Sequence, residues 1–441
     1  MTDPVMAQAA SAGAAARTRA SDLVASSLKR RYAAERRFRA YGLAAICFAV
    51  LCLAVLLFTI FKTAAPAFTQ TMIRLEVTLW PQEIDPAGTR DPKVLSTADY
   101  QKLVRDALDD LFPEVTDRRE RRELMGLLSP GATYYLRSMV MEDPSLIGQR
   151  VTVLVPFADD LDQLAKGRID RESEQTERRV SDKQIEWFHR LEQRGIVERN
   201  FNTTLFTAGD SRSPELAGIW GALVGTFWTM LITMSIAFPL AVGAAIYLEE
   251  FAPKNRWTAL IEVNINNLAA VPSIVFGLLG LAVFLNFFGL PRSAPLVGGL
   301  VLALMTLPII IIASRAALKA VPPSIREAAL GVGASQVQTV FHHVVPLAMP
   351  GMLTGAILGM AHALGETAPL LMIGMVAFIV DIPGGPLDPA TVMPVQIYLW
   401  ADSPERAFVE RSSAAIVILL GFLVVMNLLA VLLRRRFERK W

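Results

Sequence analysis

Six long apolar runs constrain this 441-residue chain more than any other feature of its sequence. Each run reaches the ~20 apolar residues that a helix needs to cross a bilayer core of about 30 Å. Hydrophobic residues make up 53% of the chain and charged residues 19%, which excludes an ordinary soluble protein. The sequence therefore predicts an all-α polytopic membrane protein with six transmembrane helices. The runs are Tyr41–Phe61, Leu216–Tyr247, Leu268–Phe288, Leu296–Ala317, Leu347–Val380 and Ser413–Leu433.

The N-terminal part is predicted to be a tail followed by a retained membrane helix. Residues 1–40 are rich in Ala and Ser and then in Lys and Arg, and they are expected to form a disordered, basic tail. Residues 41–62 follow as the first transmembrane helix, because this run exceeds the roughly 7–15 apolar residues of a signal peptide. Its cysteines, Cys47 and Cys52, are interpreted as small buried residues and not as a disulfide or a metal site.

Basic residues beside the apolar runs predict the orientation of the chain. Six of them precede the first run, and five follow the last run at Arg434, Arg435, Arg436, Arg439 and Lys440. Cytoplasmic loops carry the excess of Lys and Arg, and six crossings put both ends on one side. Both termini are therefore predicted to be cytoplasmic, with residues 435–441 as a short tail. The expected location is the bacterial inner membrane.

Residues 63–215 form a long polar interval that this topology places in the periplasm as an inserted domain. The alternation of apolar residues over Val151–Val155 predicts a strand, and the periodicity over Thr97–Leu111 and Asp182–Gln193 predicts helices. We therefore expect an α+β fold. The interval contains no cysteine, so a packed core and not disulfides is expected to stabilise it.

The interval between the fourth and fifth runs, residues 319–346, has strong local signals. Ser324 and Glu327 have the spacing of a capping box, and Pro323 just before them ends the preceding element. A short helix is predicted to start here. Gly331 and Gly333 permit positive φ and are expected to end it.

A second short helix is predicted in the same interval. Ser335 and Gln338 repeat the capping-box spacing, and the helix is expected to run to about His343, before Pro346. The interval is then either an ordinary well-capped loop or a rigid docking element for a cytoplasmic partner.

This loop resembles the EAA loop of the permeases of ABC importers, in which a coupling helix inserts into the ATP-hydrolysing subunit. The resemblance implies a type-I ABC-importer permease fold and an ATPase-coupling role for the loop. No G-x-x-x-x-G-K-[ST] sequence occurs in the chain, so ATP and Mg would be bound by a separate polypeptide. The residues that carry the resemblance are Glu327, Ala328, Ala329, Gly333 and Pro346.

The fifth run contains one carboxylate, Glu366, in an otherwise uncharged stretch. Gly365 and Pro369 flank it, which predicts a local break or kink in the helix. An ionisable group at this depth costs roughly 2.5–3.5 kcal/mol on insertion scales unless it faces protein or water. Two interpretations stay open: Glu366, with Thr367, holds the kink, or Glu366 lines or gates a translocation path. A carboxylate does not bind an anion directly and would position a cation instead.

Three motifs resemble the PstA-type permeases of phosphate ABC importers. They are Tyr247-Leu248-Glu249-Glu250, Pro272-Ser273-Ile274-Val275-Phe276-Gly277 and Gly365-Glu366-Thr367-Ala368-Pro369-Leu370-Leu371. The resemblance covers a transmembrane core at 216–434. It implies inorganic phosphate as substrate and three partners: a PstC-type second permease, a PstB-type ATPase dimer and a PstS-type periplasmic phosphate-binding protein.

Two basic side chains are candidates for the translocation path. His362 stands where the family commonly has Arg, and at i, i+4 it shares a helix face with Glu366. A fixed charge is thereby replaced by a titratable one. Arg315, at the inner end of the fourth run, is the second candidate, against the alternative that it is an interfacial anchor.

The predicted function is thus a permease subunit that imports phosphate with ATP hydrolysed elsewhere. The chain itself is predicted to have no catalytic site, cofactor or metal and no nucleic-acid partner; its surroundings are the lipid bilayer. A permease for another oxyanion, sulfate or molybdate, is the alternative, and a proton-coupled secondary transporter using Glu366 and His362 is a further one. The 63–215 domain is a candidate contact for the binding protein.

Overall fold

The computed structural model describes residues 4–171 and 178–437, which belong to two compact units, Met1–Phe61 and Lys62–Trp441. Three strands are present in the described part: β1 (Thr69–Thr78), β2 (Arg150–Pro156) and β3 (Val197–Phe201). Stretches of π-helix cover Tyr247–Phe251, Leu281–Phe287 and Val340–Val344. The α-helices are α1 (Pro4–Ala64), α2 (Pro81–Ile84), α3 (Pro92–Thr97), α4 (Tyr100–Leu111), α5 (Arg118–Met125), α6 (Ala132–Glu142), α7 (Asp159–Ala165), α8 (Asp182–Gln193), α9 (Thr204–Thr207), α10 (Trp220–Ile246), α11 (Arg256–Ala269), α12 (Ser273–Gly280), α13 (Pro295–Lys319), α14 (Pro323–Gly331), α15 (Gln336–Thr339), α16 (Val345–Gly365), α17 (Ala368–Met372), α18 (Met393–Ala401) and α19 (Ala407–Phe437).

Helix α1 differs from the N-terminal prediction. It begins at Pro4, so the segment expected to be a disordered tail is helical from there, and only residues 1–3 of it lie outside the described part. The physical reason is the abundance of Ala, which has the highest intrinsic helix propensity. Cys47 and Cys52 are exposed on the helix. The expectation that they are buried is therefore not met within this chain.

Five helices of the described residues are long and apolar enough to cross a membrane: Arg30–Phe68, Trp220–Phe251, Pro295–Lys319, Gln336–Gly365 and Ala407–Arg436. They overlap five of the six predicted runs. The last one continues to Phe437, so the predicted tail at 435–441 begins inside α19, and residues 438–441 of it lie outside the described part. Six crossings result only if a bent helix pair counts as one.

The third predicted run, Leu268–Phe288, is one arm of this bent pair, and α11 before it is the other arm. α11 and the helix Ser273–Phe287 meet at an angle of 100° instead of forming one straight span. The break falls at residues 270–272, where Pro272 lacks an N–H and disfavours a helical conformation of the residue before it. The fifth predicted run is likewise shorter than expected, because α16 ends at Gly365 and only the brief α17 follows.

The polar interval folds around a three-stranded antiparallel sheet in the order β2-β1-β3. Leu75 of β1 lies opposite Val153 of β2, and both are buried in a core that includes Phe112 and Phe188. The predicted strand at 151–155 lies within β2, and the predicted helix at 182–193 is α8. α4 begins at Tyr100, three residues later than predicted, because Asp99 caps it by accepting a hydrogen bond from the Lys102 amide at 3.1 Å.

A buried group of charges joins this sheet region to the start of α19. Gln163 donates to Glu410 Oε2 at 3.1 Å, and the same carboxylate lies 3.2 Å from Arg168 Nε and 3.8 Å from Lys166 Nζ. Burial, and then the neighbouring carboxylates, raises the pKa of Asp159 to about 6. The polar interval therefore shares one compact unit with the apolar helices and is joined to them by ionic contacts.

Candidate functional site

The 319–346 loop forms a helix, a glycine turn and a second helix. α14 starts at Pro323, with Pro322 in the capping position, so the predicted capping box of Ser324 and Glu327 is wrong. Pro323 occupies the first helical position, where its missing N–H costs nothing, and the helix therefore begins earlier. Gly333 has a φ of +89°, which confirms the predicted turn at this glycine.

The second helix has its predicted start but not its predicted end. Ser335 Oγ accepts a hydrogen bond from the Gln338 amide at 3.3 Å, and Gln338 Oε1 accepts one from the Ser335 amide at 2.9 Å, which confirms the capping box. The helix then continues through Pro346 into the next span, as Gln336–Gly365. The stop predicted before Pro346 is wrong. A π turn precedes the proline and loosens the backbone where that residue cannot donate.

Arg326 fastens this loop to the helices on either side of it. Its Nη2 and Nε donate to the two carboxylate oxygens of Glu250, at 2.6 and 3.2 Å. Its guanidinium also donates to the carbonyl oxygens of Val321 and Leu318, at 2.8 and 2.9 Å, at the end of α13. Bonding to Glu250 raises the pKa of Arg326 above its usual value. A two-pronged pair of this kind fixes orientation as well as distance.

A second bond comes from the far side of the glycine turn. Gln336, the first residue of α15, donates its Nε2 to the backbone oxygen of Glu250 at 2.7 Å. Both arms of the loop are therefore bonded to one residue at the end of the span that begins at Trp220.

The loop carries exposed apolar side chains on both sides of its glycine turn. Of the predicted motif residues, Ala329 is buried, while Glu327 and Ala328 are exposed. Four large apolar side chains around the turn are each more than half exposed, and Val332 reaches 87%. Exposed apolar clusters of this kind mark interaction sites. We call this surface the apolar tip; it consists of Leu330, Val332, Val337 and Phe341.

A second feature is the break at Glu366, which confirms the predicted kink. α16 ends at Gly365, Glu366 has extended backbone angles of −84° and 125°, and α17 begins two residues later, after Thr367. His362 Nε2 lies 3.5 Å from Glu366 Oε1, so the two side chains share a helix face as predicted. The glutamate side chain is 21% exposed and the histidine 47%.

The helix that follows each of the two breaks packs against the other. Gly277 of α12 faces Pro369 of α17 so closely that a Cβ on the glycine would lie 2.7 Å from the Pro369 Cα and 2.8 Å from the Met372 Cβ. Such a separation is shorter than any ordinary van der Waals contact, so glycine is required here. Two of the motifs that carry the family resemblance therefore meet in space.

Arg315 does not join Glu366. It lies 2.7 Å from Glu262 and 3.4 Å from Glu249. α13 and α16 pack antiparallel, with Gly351 against Ala317 and Gly355 against Ala313. This register puts Arg315 level with residue 353, about 20 Å along the helix axis from Glu366 at 1.5 Å per residue. Arg315 thus belongs with the charges near the 319–346 loop.

The sequence reading did not identify Arg326, Glu250 and Gln336 as functional candidates. Glu250 belongs to one of the three motifs, but nothing in the sequence pairs it with Arg326, which lies 76 positions away. The available signal was the position of the Glu249-Glu250 pair directly after an apolar run, where an acidic pair needs cationic partners.

Two sequence families match different parts of the chain. The family described as "Binding-protein-dependent transport system inner membrane component" matches residues 237–441, which contain both the loop and the helix crossing. A domain of unknown function, DUF3333, matches residues 25–175.

The chain is also similar to several permease proteins. It is 38% identical over 178 residues to "Probable ABC transporter permease protein YqgI" of Bacillus subtilis, covering 40% of this chain and 59% of that protein. It is 34% identical to "Phosphate transport system permease protein PstC" of Haemophilus influenzae, covering 39% of this chain and 62% of that protein. It is 31% identical over 248 residues to "Phosphate transport system permease protein PstA 1" of Mycobacterium tuberculosis, covering 56% of this chain and 75% of that protein. With three quarters of that relative matched, and with the family's motifs meeting in the fold, the chain belongs to the PstA-type permeases of binding-protein-dependent ABC importers.

Proposed function

We propose that this chain forms one half of the membrane passage of an importer for inorganic phosphate, and that the 319–346 loop couples it to ATP hydrolysis. The observation that carries the coupling role is the apolar tip. A loop that exposes four large apolar side chains while Arg326 and Glu250 hold its base is suited to dock into a partner protein and to transmit force. The names of the PstA and PstC relatives support phosphate as the substrate.

A single continuous helix leads from the loop to the break at Glu366. The second arm of the loop runs without interruption into the helix that ends at Gly365, immediately before Glu366. A displacement of the apolar tip is therefore passed along about 45 Å of helix, at 1.5 Å per residue, to the break where α12 and α17 meet. Glu366 and His362 lie at this break and are proposed to gate the passage, with the glutamate positioning a cation and not the anion itself.

The proposed assembly follows from the roles of the loop and of the membrane helices. The chain pairs with a PstC-type permease, a PstB-type ATPase dimer binds the two loops, and a PstS-type protein delivers phosphate. Both termini are proposed to be cytoplasmic, which puts the 319–346 loop on the side of the ATPase. Residues 63–215 then lie in the periplasm, where they are a candidate contact for the binding protein.

Substrate-stimulated ATPase activity of the reconstituted complex tests the proposed substrate. Phosphate with its binding protein is expected to stimulate hydrolysis, and sulfate or molybdate is expected to leave the basal rate unchanged. Equal or greater stimulation by sulfate or molybdate would assign another oxyanion. A proton-coupled transporter would show uptake without any ATPase.

Co-purification tests the docking role of the tip. Val332→Glu puts a charge on its most exposed residue and is expected to release the ATPase, as is Gly333→Asp. Leu387→Glu is the matched control, because Leu387 is also exposed, at 54%, but lies outside the loop. Retention of the ATPase by Val332→Glu and Gly333→Asp would argue against docking at this loop.

A further inference from the structure

An apolar groove runs between α10, α16 and α19 near the C-terminal end of α19. It holds about 430 Å³ of free space, within the ~300–1,000 Å³ typical of sites for small ligands. Its walls are almost entirely hydrocarbon and thioether, with Ser235 as the one polar residue among the lining positions that the structure describes. Phe422, Met426 and Ala430 line it from α19.

The length of the groove matches one leaflet of a bilayer. Along α19 it extends from Phe422 to Leu433, and along α10 from Phe227 to Pro239. At 1.5 Å per residue these stretches measure about 16 and 18 Å. Half of a hydrocarbon core of about 30 Å is about 15 Å. The groove is thus as long as one leaflet's layer of acyl chains is thick.

Three consecutive arginines stand at one end of this groove. Leu433 is the last lining residue on α19, and Arg434, Arg435 and Arg436 follow it directly. Arg434 lies one helical turn beyond Ala430, on the same face. Its Nη1 donates to Thr354 Oγ1 at 3.3 Å, beside the lining residue Leu353, so its guanidinium is held at the mouth of the groove.

We propose that this groove is a binding site for an anionic phospholipid of the leaflet on the side of the C-terminus. One acyl chain fills the apolar groove, the headgroup phosphate lies against Arg434, and Arg435 and Arg436 add positive charge at the same end of α19. An apolar slot that ends in a cluster of arginines is complementary to a molecule with a hydrocarbon chain and a negative head, and basic pockets between membrane helices bind such headgroups.

Photolabelling of the full-length protein in nanodiscs tests this site. The probes are a phosphatidylglycerol and a phosphatidylcholine that carry the same diazirine-bearing acyl chain. Labelled peptides are expected from α10, α16 and α19 at the groove, with phosphatidylglycerol preferred. Replacement of the three arginines by Gln is expected to lower phosphatidylglycerol labelling about tenfold and phosphatidylcholine labelling little.

Two further variants separate lipid binding from general effects. Arg36→Gln, Arg37→Gln and Arg39→Gln together remove three arginines beside another apolar span and are expected to leave groove labelling unchanged. Ala430→Phe fills the groove and is expected to lower labelling by both lipids while the arginines remain. Three outcomes would overturn the proposal. The two lipids could label the wild type equally, or the labelled peptides could lie outside the groove. The control triple variant could also lose as much labelling as the variant without Arg434, Arg435 and Arg436.

Discussion

Arg326 and Glu250 are 76 positions apart in the chain, and their side chains form a two-pronged ion pair with N–O distances of 2.6 and 3.2 Å. The Glu250 side chain is only 8% exposed, and the same guanidinium caps the carbonyl end of α13. One arginine thus ties the first helix of the loop to two spans at once. In the proposed importer, this connection transmits movement of the loop to the membrane helices.

Arg326→Ala is expected to lower both phosphate uptake and the ATP hydrolysis that substrate stimulates. The substitution leaves a nearly buried carboxylate without its cation, and breaking a fully buried pair costs about 3–5 kcal/mol. A smaller loss is expected here because the Arg326 side chain is 24% exposed. Phosphate uptake and substrate-stimulated ATPase activity, measured on the same reconstituted complex, should fall by tenfold or more, a change of about 1.4 kcal/mol.

Lys319→Ala is the matched control for that experiment. Lys319 lies 3.6 Å from Glu249 at the end of the same span, but its side chain is 58% exposed, and such pairs contribute about 0–1 kcal/mol. Its uptake should stay near that of the wild type. If Lys319→Ala lowers phosphate uptake as much as Arg326→Ala does, the Arg326 bonds are not the coupling element.

Gly333→Ala is expected to weaken the loop, and Gly331→Ala is not. Both glycines have open space around the position of a Cβ, but only Gly333 has a positive φ, of +89°. A side chain in that conformation costs roughly 1–2 kcal/mol. The amount of ATPase that co-purifies with the permease at decreasing ATPase concentration measures the effect. A Gly331→Ala variant that loses the ATPase as readily would show that chain flexibility, and not the turn, matters.

Gly277→Ala should impair transport through the helix crossing. The added methyl meets Pro369 and Met372 at less than 3 Å, and overpacking of this kind costs about 1–3 kcal/mol. A lower melting temperature and lower uptake are expected. Gly243→Ala on α10 is the control, because a Cβ there meets nothing within 4 Å and alanine favours the helix. Normal uptake by Gly277→Ala would exclude a close-packed gate at this point.

Asp159→Asn is expected to stabilise the protein at pH 8 and to have little effect at pH 4. The fold raises the pKa of Asp159 to about 6, above its value in the unfolded chain, so ionisation opposes folding. That penalty is present above pH 6 and disappears as the pH falls toward the unfolded pKa of about 3.9. Since the carboxyl is partly exposed, we expect a gain of only ~1–2 kcal/mol at pH 8, measured by thermal unfolding.

Asp162→Asn should act in the opposite direction at pH 8. Asp162 is 5% exposed and lies 2.6 Å from Lys166, so its removal leaves a buried ammonium without this partner. Stabilisation by both substitutions at pH 8 would contradict the assigned roles of the two carboxylates.

Local chemistry and apolar length determined much of this protein from the sequence alone. The five long spans, the capping box of Ser335 and Gln338, the turn at Gly333 and the break at Glu366 each depend on residues within a few positions of one another. The strand at 151–155 and helix α8 were predicted for the same reason. Hydrophobic periodicity indicates which face of a strand or helix is buried, but it does not indicate which other element packs against that face.

The tertiary structure decided which of these pieces meet. Counting apolar residues could not show that the helix of the third run is bent by 100° against α11, because hydropathy is the same for a straight helix pair and a bent one. It also could not pair Arg326 with Glu250, place Gly277 on Pro369, or move Arg315 away from Glu366. These contacts join residues tens of positions apart, and they arise from helix packing, which brings distant side chains into register only once the chain has folded.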